Sequence, residues 1–278
     1  MELGIIDRLV HSTVRIECEN DKGEKSSGTG FFFGFLKNGD QCIPAIITNK
    51  HVIAGAVKGK FHMTLRDENG FPKVGEHLGI TFDNFESQCI KHPDPNIDLA
   101  IFLAGPLLNQ AKEMGSDFFY VILDESIIPT TAIRTSLTSM EDIVMIGYPN
   151  GIWDEKNNLP LIRKGITSTH PNIEFNGAPE FLIDAACFPG SSGSPVFLAN
   201  IGSYTDKKGN TIIGTRVGLL GVLYAGPQHT AQGNIVIQPV PTSQRAIALS
   251  SIPNNLGIVI QSSKIKDFEP IIRNITGQ

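Results

Sequence analysis

The sequence predicts an all-β fold built as a sandwich or a barrel. Three observations carry that reading. Short apolar segments recur along the 278 residues, separated by turns rich in Gly, Pro, Asn and Asp. Two of these turns, Asp-Glu-Asn-Gly at 67–70 and Asp-Lys-Lys-Gly-Asn at 206–210, have hairpin composition. Helical periodicity is confined to two places.

Taken in order, Val14, Ile16 and Cys18 alternate with Arg15 and Glu17, the two-residue period of a half-buried strand. Strands are expected next at 30–35, 45–48, 99–103, 120–123 and 143–146. In the second half they are expected at 181–183, 211–215, 217–224, 235–237 and 257–260. Residues 107–115 suit a turn or two of helix. Near the end, Ile265, Phe268 and Ile272 recur at helical spacing behind Ser263, an N-cap candidate, and Pro270 should shorten or kink that helix. Pro129, Thr130 and Thr131 interrupt the strand pattern, so the chain divides into two all-β halves, 1–130 and 131–278.

Composition excludes several classes. With 41% hydrophobic and 18% charged residues, the chain is composed like a globular protein and not a disordered one. A net charge of -5 and the lack of a basic run argue against nucleic acid as a partner. No stretch reaches the roughly 18 apolar residues of a membrane span, and the first residues lack the features of a secretory leader. Cys18, Cys42, Cys89 and Cys187 form neither a metal pattern nor a disulfide scaffold. Buried thiols in a reducing, cytoplasmic compartment are the expectation. Neither a metal nor another cofactor is expected.

Three segments supply the parts that acyl transfer needs: a base, an acid to orient it, and a nucleophile with oxyanion donors. In Ala-Ile-Ile-Thr-Asn-Lys-His-Val, His51 follows an apolar run, and imidazole suits a base at neutral pH. In Asn-Ile-Asp-Leu-Ala-Ile-Phe, Asp98 stands at the lip of a buried strand, where a carboxylate needs a partner. Asp94 is a nearby rival in a His-Pro-Asp-Pro turn. In Phe-Pro-Gly-Ser-Ser-Gly-Ser-Pro-Val-Phe-Leu, the small residues allow a sharp turn and close substrate approach, with Ser192 at the centre. The backbone N–H groups of Gly190 and Ser192 are the oxyanion candidates. Ser191 and Ser194 are competing hydroxyls that spacing does not dismiss.

As a set, Thr-Asn-Lys-His-Val, Asp-Leu-Ala-Ile-Phe and Gly-Ser-Ser-Gly-Ser-Pro resemble the three active-site blocks of chymotrypsin-like serine peptidases. The closer similarity is to bacterial and organellar members of the HtrA (Deg) and glutamyl endopeptidase types. Gly-Thr-Gly-Phe-Phe-Phe at 28–33, Ile-Gly-Tyr-Pro at 146–149 and Gly-Ile-Val-Ile-Gln-Ser-Ser near the end resemble further strands of those enzymes, so the similarity runs from about residue 10 to about 270. It implies two six-stranded antiparallel barrels packed face to face, with a short C-terminal helix and a catalytic cleft between the barrels. His51 and Asp98 would come from the first barrel and Ser192 from the second. The implied function is that of a serine endopeptidase. There are departures: Ser191 replaces the aspartate that receives a new amino terminus in digestive enzymes, the usual disulfides are missing, and no PDZ domain follows.

By the same resemblance Ala186 falls at the floor of the primary pocket, with Tyr224, Ala225 and Gly226 along its wall. An uncharged floor disfavours Lys or Arg before the scissile bond and suits a small or medium apolar side chain. Residues 227–255 form a connection longer than two strands need and suit a frame, a gate or a partner contact. The expected partner is a protein or peptide substrate, with an activating protein as a further option. Two other classes compete: a protease-fold binding or regulatory module that is silent or partner-activated, and an α/β-hydrolase. The second lacks the glycine of a nucleophile elbow at Ser194 and the βαβ context.

Overall fold

Phe31, Phe33 and Phe35 project from one side of their strand and Phe32 from the other, yet all four are buried. Side chains alternate across a strand, so this strand lies between two separate cores. The same arrangement explains why so many strands here read as unbroken apolar runs. The computed structural model describes residues 3–226, 228–231, 250–253 and 255–277.

The first half is a seven-stranded antiparallel sheet. Its strands are β1 (Thr13–Asn20), β2 (Lys25–Asn38), β3 (Gln41–Thr48), β4 (Ala56–Arg66), β5 (Pro72–Asp83), β6 (Cys89–Lys91) and β7 (Ala100–Leu103), in spatial order β5-β4-β1-β2-β3-β7-β6. The second half is a closed six-stranded barrel. Its strands are β8 (Asp142–Gly147), β9 (Leu161–Thr167), β10 (Glu180–Asp184), β11 (Pro195–Asn200), β14 (Arg216–Ala225) and β17 (Leu256–Gln261). Two small hairpins, β12 (Ser203–Thr205) with β13 (Thr211–Ile213) and β15 (Gln228–Ala231) with β16 (Ser250–Pro253), stand outside it. The expected chymotrypsin-like architecture holds, with the second half a closed six-stranded barrel and the first a sheet of seven strands to which the short β6 is added.

Ile16, Phe32, Ile46, Phe61 and Phe102 fill the first sheet, and Met145, Phe181, Val196, Leu198 and Val259 fill the barrel. A third core joins the halves: Phe31, Phe33, Ile47 and Ile101 from one meet Ile146, Phe197, Val222 and Ile260 from the other. Burial of each such side chain contributes about 1.5–3 kcal/mol, so the two halves are welded by a core and not by a wet contact. Leu9 and Val10 of helix α1 (Ile5–Val10) and the C-terminal Ile265, Phe268 and Ile272 complete it.

Several local expectations are corrected. Residues 120–123 form no strand and run as a connection, with an isolated parallel bridge from Leu123 to Phe33. Ser263 does not cap the last helix. It lies within a 3-10 segment, Ser262–Phe268, that leads into the helix Glu269–Thr276. Pro270 sits in the first turn of that helix, where its missing N–H costs nothing, and so neither kinks nor shortens it. Strand β5 escaped sequence patterning because it is an edge strand exposed along most of its length, so neither face needs apolar residues. The expected strand at 235–237 and most of the 227–255 connection lie outside the described residues. Among those described, no helix is long and apolar enough to cross a membrane.

Candidate active site

His51 lies on a single helical turn, Lys50–Ile53, directly after β3, whose inward residues Ile46 and Ile47 are fully buried and fix where the turn begins. Asp98 directly precedes the run Leu99–Ile101, which is equally buried. Because β3 and β7 are paired, with Thr48 opposite Ala100, the two polar residues emerge side by side at the same end of the sheet. Asp98 then grips His51 twice. Its Oδ1 accepts the His51 backbone N–H at 3.1 Å, and its Oδ2 lies 2.5 Å from Nδ1. This contact assigns Nδ1 as the donor and leaves Nε2 directed elsewhere. Asn49 tightens the junction, its Nδ2 donating to the Asp98 carbonyl at 2.7 Å. Burial pushes the Asp98 carboxyl up. The hydrogen bonds and charge of His51, with the backbone N–H groups of His51 and Lys50, outweigh that push and hold the carboxyl below the ordinary carboxylate value.

Ser192 comes from the other half, in the loop between β10 and β11. The Thr29 N–H donates to its carbonyl at 2.9 Å, and the Thr29 carbonyl in turn accepts the Thr48 hydroxyl at 2.8 Å, three residues before His51. Gly193 is in contact with both threonines, with φ +86°; a Cβ there would overlap the Thr29 carbonyl. Two short links therefore join the loop of Ser192 to the turn of His51. The Ser192 hydroxyl donates to the Tyr224 carbonyl at 3.4 Å, and among the described residues it makes no hydrogen bond to His51.

The loop around Ser192 is pinned peptide by peptide. The Pro189 carbonyl accepts the Asn150 N–H at 2.5 Å, and the Ser191 carbonyl accepts the Ser194 N–H at 3.0 Å. In a trans peptide the N–H points opposite to the carbonyl, so the N–H groups of Gly190 and Ser192 both face away from these anchors. Neither has an acceptor among the described residues. Gly190 has φ +85°, and a Cβ on it would meet the Tyr148 carbonyl at 2.6 Å, so this turn requires glycine.

The sequence profile of the trypsin-like peptidase domain matches residues 28–202, which include His51, Asp98 and Ser192. The chain belongs to the trypsin-like peptidase family. No curated protein matches it in sequence. Similar solved structures include the active form of the Rv3671c protease from M. tuberculosis, at 15% identity and TM-score 0.45, covering 94% of this chain and 80% of that one. The HtrA-type protease AlgW with tripeptide matches at 17% identity and TM-score 0.47, covering 98% and 63%. The serine endoprotease from Yersinia pestis matches at 16% identity and TM-score 0.47, covering 98% and 69%.

Within this trypsin-like peptidase the competing side chains sort by burial. Ser191 is 1% exposed, and its hydroxyl oxygen accepts hydrogen bonds from Arg163 Nη1 at 2.8 Å and from the Phe188 N–H at 3.3 Å. Ser194 is wholly buried. Asp94 accepts the Asn96 N–H in its own turn and takes no part with His51. Cys187 is buried, which pushes its thiol up to about 11 and keeps it protonated.

The expected pocket residues fall into one neighbourhood. Gly226 adjoins Cys187, and the Ala186 carbonyl accepts Arg163 Nη1 at 2.7 Å. Tyr224 and Ala225 lie half-buried at the outer end of β14, past its last pairing with β11 at Val222. Among the described residues, no group of three or more His, Cys, Asp or Glu side chains is arranged to hold a metal ion.

Thr29, Asn150 and Arg163 belong to this site although sequence patterning does not mark them. Thr29 has a partial signal, since it stands between two glycines ahead of an apolar strand. Arg163 has none: it lies in a strand whose other side chains are largely exposed, and the burial of its Nε and Nη2 is a tertiary fact.

Proposed function

We propose that the chain is a serine endopeptidase in which Ser192 is the nucleophile, His51 the general base and Asp98 the group that orients the base. One observation carries this reading most: Asp98 holds both the backbone and Nδ1 of His51, which orients the ring and fixes its tautomer. Nε2 takes the Ser192 proton as the hydroxyl attacks a peptide carbonyl. The imidazolium that forms is stabilised by Asp98 and returns the proton to the leaving amine. The free N–H groups of Gly190 and Ser192 supply the oxyanion donors. Water then repeats the sequence on the acyl-enzyme. The substrate is a protein or peptide, and no step requires a cofactor.

For the residue before the scissile bond, Ala186, Tyr224, Ala225 and Gly226 form an uncharged surround that favours a small or medium apolar side chain. The Arg163 cation on the Ala186 carbonyl adds repulsion against Lys and Arg.

A second reading is favoured by the Ser192 hydroxyl, which meets Tyr224 and not His51. In that reading the enzyme is held silent until substrate or an activating protein turns the hydroxyl toward the ring. Activation in that reading includes turning the Ser192 hydroxyl away from the Tyr224 carbonyl.

A fluorophosphonate probe with mapping of the labelled residue tests both. Labelling at Ser192 in the isolated chain, abolished by Ser192→Ala and His51→Ala, supports the endopeptidase. Labelling that needs an added protein supports the silent form. Modification at Ser191 or Ser194 overturns the assignment.

A further inference from the structure

Ser192 has two flanks, and they differ in kind. On one, its hydroxyl meets the Tyr224 carbonyl, and beyond Val222 strand β14 has lost its pairing with β11. Among the described residues that edge of Tyr224–Gly226 has no strand partner, so the acyl half of an extended substrate can add there as a strand. The leaving half must then run over the other flank. There the Ser192 carbonyl is bonded to Thr29, and the Pro189 carbonyl to Asn150. Following β2 back from Thr29 leads to Ser27, Ser26 and Lys25, and Asn150 continues into Gly151. All five line a cleft of about 560 Å³.

The charge in this cleft is unbalanced. Arg15, Lys25, Lys58 and Lys60 line it against Glu17 and Glu19. Glu17 is shared by Arg15 at 3.0 Å, His62 at 3.3 Å and Lys60 at 3.9 Å, while Glu19 has Lys58 at 3.8 Å. Lys25 has no carboxylate partner among the described residues. On a chain of net charge -5, this is a local positive potential beside the nucleophile. At roughly 3.3 Å per strand residue, Ser27, Ser26 and Lys25 lie about 7–13 Å along β2 from Thr29, the span of the second to fourth residues beyond a scissile bond.

We infer that this cleft binds the leaving side of the substrate and selects acidic residues two to four positions beyond the cut. The inference rests on the proposed endopeptidase activity for its biological meaning, but its binding component is testable alone. Arg15 is the fixed part of the device, since it is held by Glu17 and by the Gly151 carbonyl at 2.6 Å. Lys25 and Lys58 are exposed and adjustable.

The test has two arms. In the first, peptides that differ by Glu or Lys at those positions are compared for kcat/KM, with a p-nitroanilide, which has no leaving-side residue, as reference. Glu is expected to exceed Lys by about tenfold at low salt, shrinking at high salt, because two exposed ion pairs are lost and screened together. In the Lys25→Glu/Lys58→Glu chain the ratio of Glu peptide to anilide should fall by about tenfold and the preference should reverse. In the second arm, fluorescence anisotropy on the Ser192→Ala chain compares acidic and basic hexapeptides for binding. A tighter acidic peptide, weakened by the double substitution, supports the inference without any turnover. Equal kcat/KM or equal binding for acidic and basic peptides overturns it, while fluorophosphonate labelling at Ser192 would leave the endopeptidase reading intact. Acid-selective binding without labelling would sink the endopeptidase reading and spare the cleft.

Discussion

The Thr29 hydroxyl donates to the Gly190 carbonyl at 3.0 Å while accepting the Tyr148 N–H at 3.1 Å. A residue of the first sheet therefore holds two backbone segments of the second barrel, one of them in the loop that carries Ser192. Thr29→Val keeps the shape and deletes both bonds, leaving a partly buried carbonyl and a buried N–H unpaired. It should cost about 1–3 kcal/mol of stability and lower kcat on a p-nitroanilide by about 10–100-fold, with KM little changed. Thr29→Ser should restore most of both. Loss of stability with unchanged kcat in the valine variant would show that Thr29 is structural alone.

Asp98→Asn should leave the fold in place and lower kcat by about 10⁴-fold at neutral pH, because an amide favours the wrong tautomer of His51. Steady-state kinetics beside a circular dichroism melt separates the two effects.

The same carboxylate has a signature in acid. Its folded value lies below its unfolded value, so its contribution to stability is fully present above the unfolded value and is lost as pH falls through the folded one. Urea midpoints measured between about pH 6 and pH 2.5 should fall more for the parent than for Asp98→Asn. Parallel slopes would mean that the His51 contact contributes nothing to stability.

Arg163 bridges the Ala186 carbonyl and the Ser191 hydroxyl, and its Nε and Nη2 are buried without partners among the described residues. Burial pulls its pKa below the ordinary value, so the cation is held at a cost. Arg163→Met should change the denaturation free energy by no more than about 1 kcal/mol, since relief of desolvation offsets the lost bonds. It should slow fluorophosphonate labelling of Ser192 by about tenfold, because the loop that carries Ser192 loses its tie.

Gly193→Ala should be among the least tolerated changes in the chain. The position needs φ +86°, and a Cβ would collide with the Thr29 carbonyl, which is backbone and has little room to move. Destabilisation of more than about 3 kcal/mol is expected by urea denaturation, against little effect for Gly214→Ala, where no positive φ is needed and the added carbon meets nothing nearer than the Tyr204 ring at 3.8 Å.

Of the strands that pack on both faces, those at 30–35, 45–48, 143–146 and 257–260 were legible as apolar runs, whereas β4 was not, because His62 and Thr64 alternate with Phe61 and Met63 in its buried centre. Strands β5 and β9 were not, because their side chains are largely exposed and composition there is free to be polar. The C-terminal helix was visible from Ile265, Phe268 and Ile272, but its start was misplaced. Ser263 has the chemistry of a cap, yet a 3-10 segment occupies that stretch and brings Ile265 and Phe268 into the inter-barrel core.

For the site, residue type and order were enough to nominate His51, Asp98 and Ser192, since few side chains can act as base, orienting acid and nucleophile. They left Ser191, Ser194 and Asp94 as rivals. Burial and hydrogen bonding set those rivals apart, with Ser191 and Ser194 buried and Asp94 bonded within its own turn, and both are properties of the assembled molecule. Sequence by itself determined the strand-rich architecture and the chemical parts, because side-chain polarity and spacing act locally. Which peptide N–H groups have no acceptor among the described residues, that Arg163 lies under the Ser192 loop, and that four cations gather around two carboxylates beside it were decided by tertiary structure alone. Each depends on residues more than a hundred positions apart in the chain, or on neighbouring strands, meeting in one place, and no local pattern encodes such a meeting.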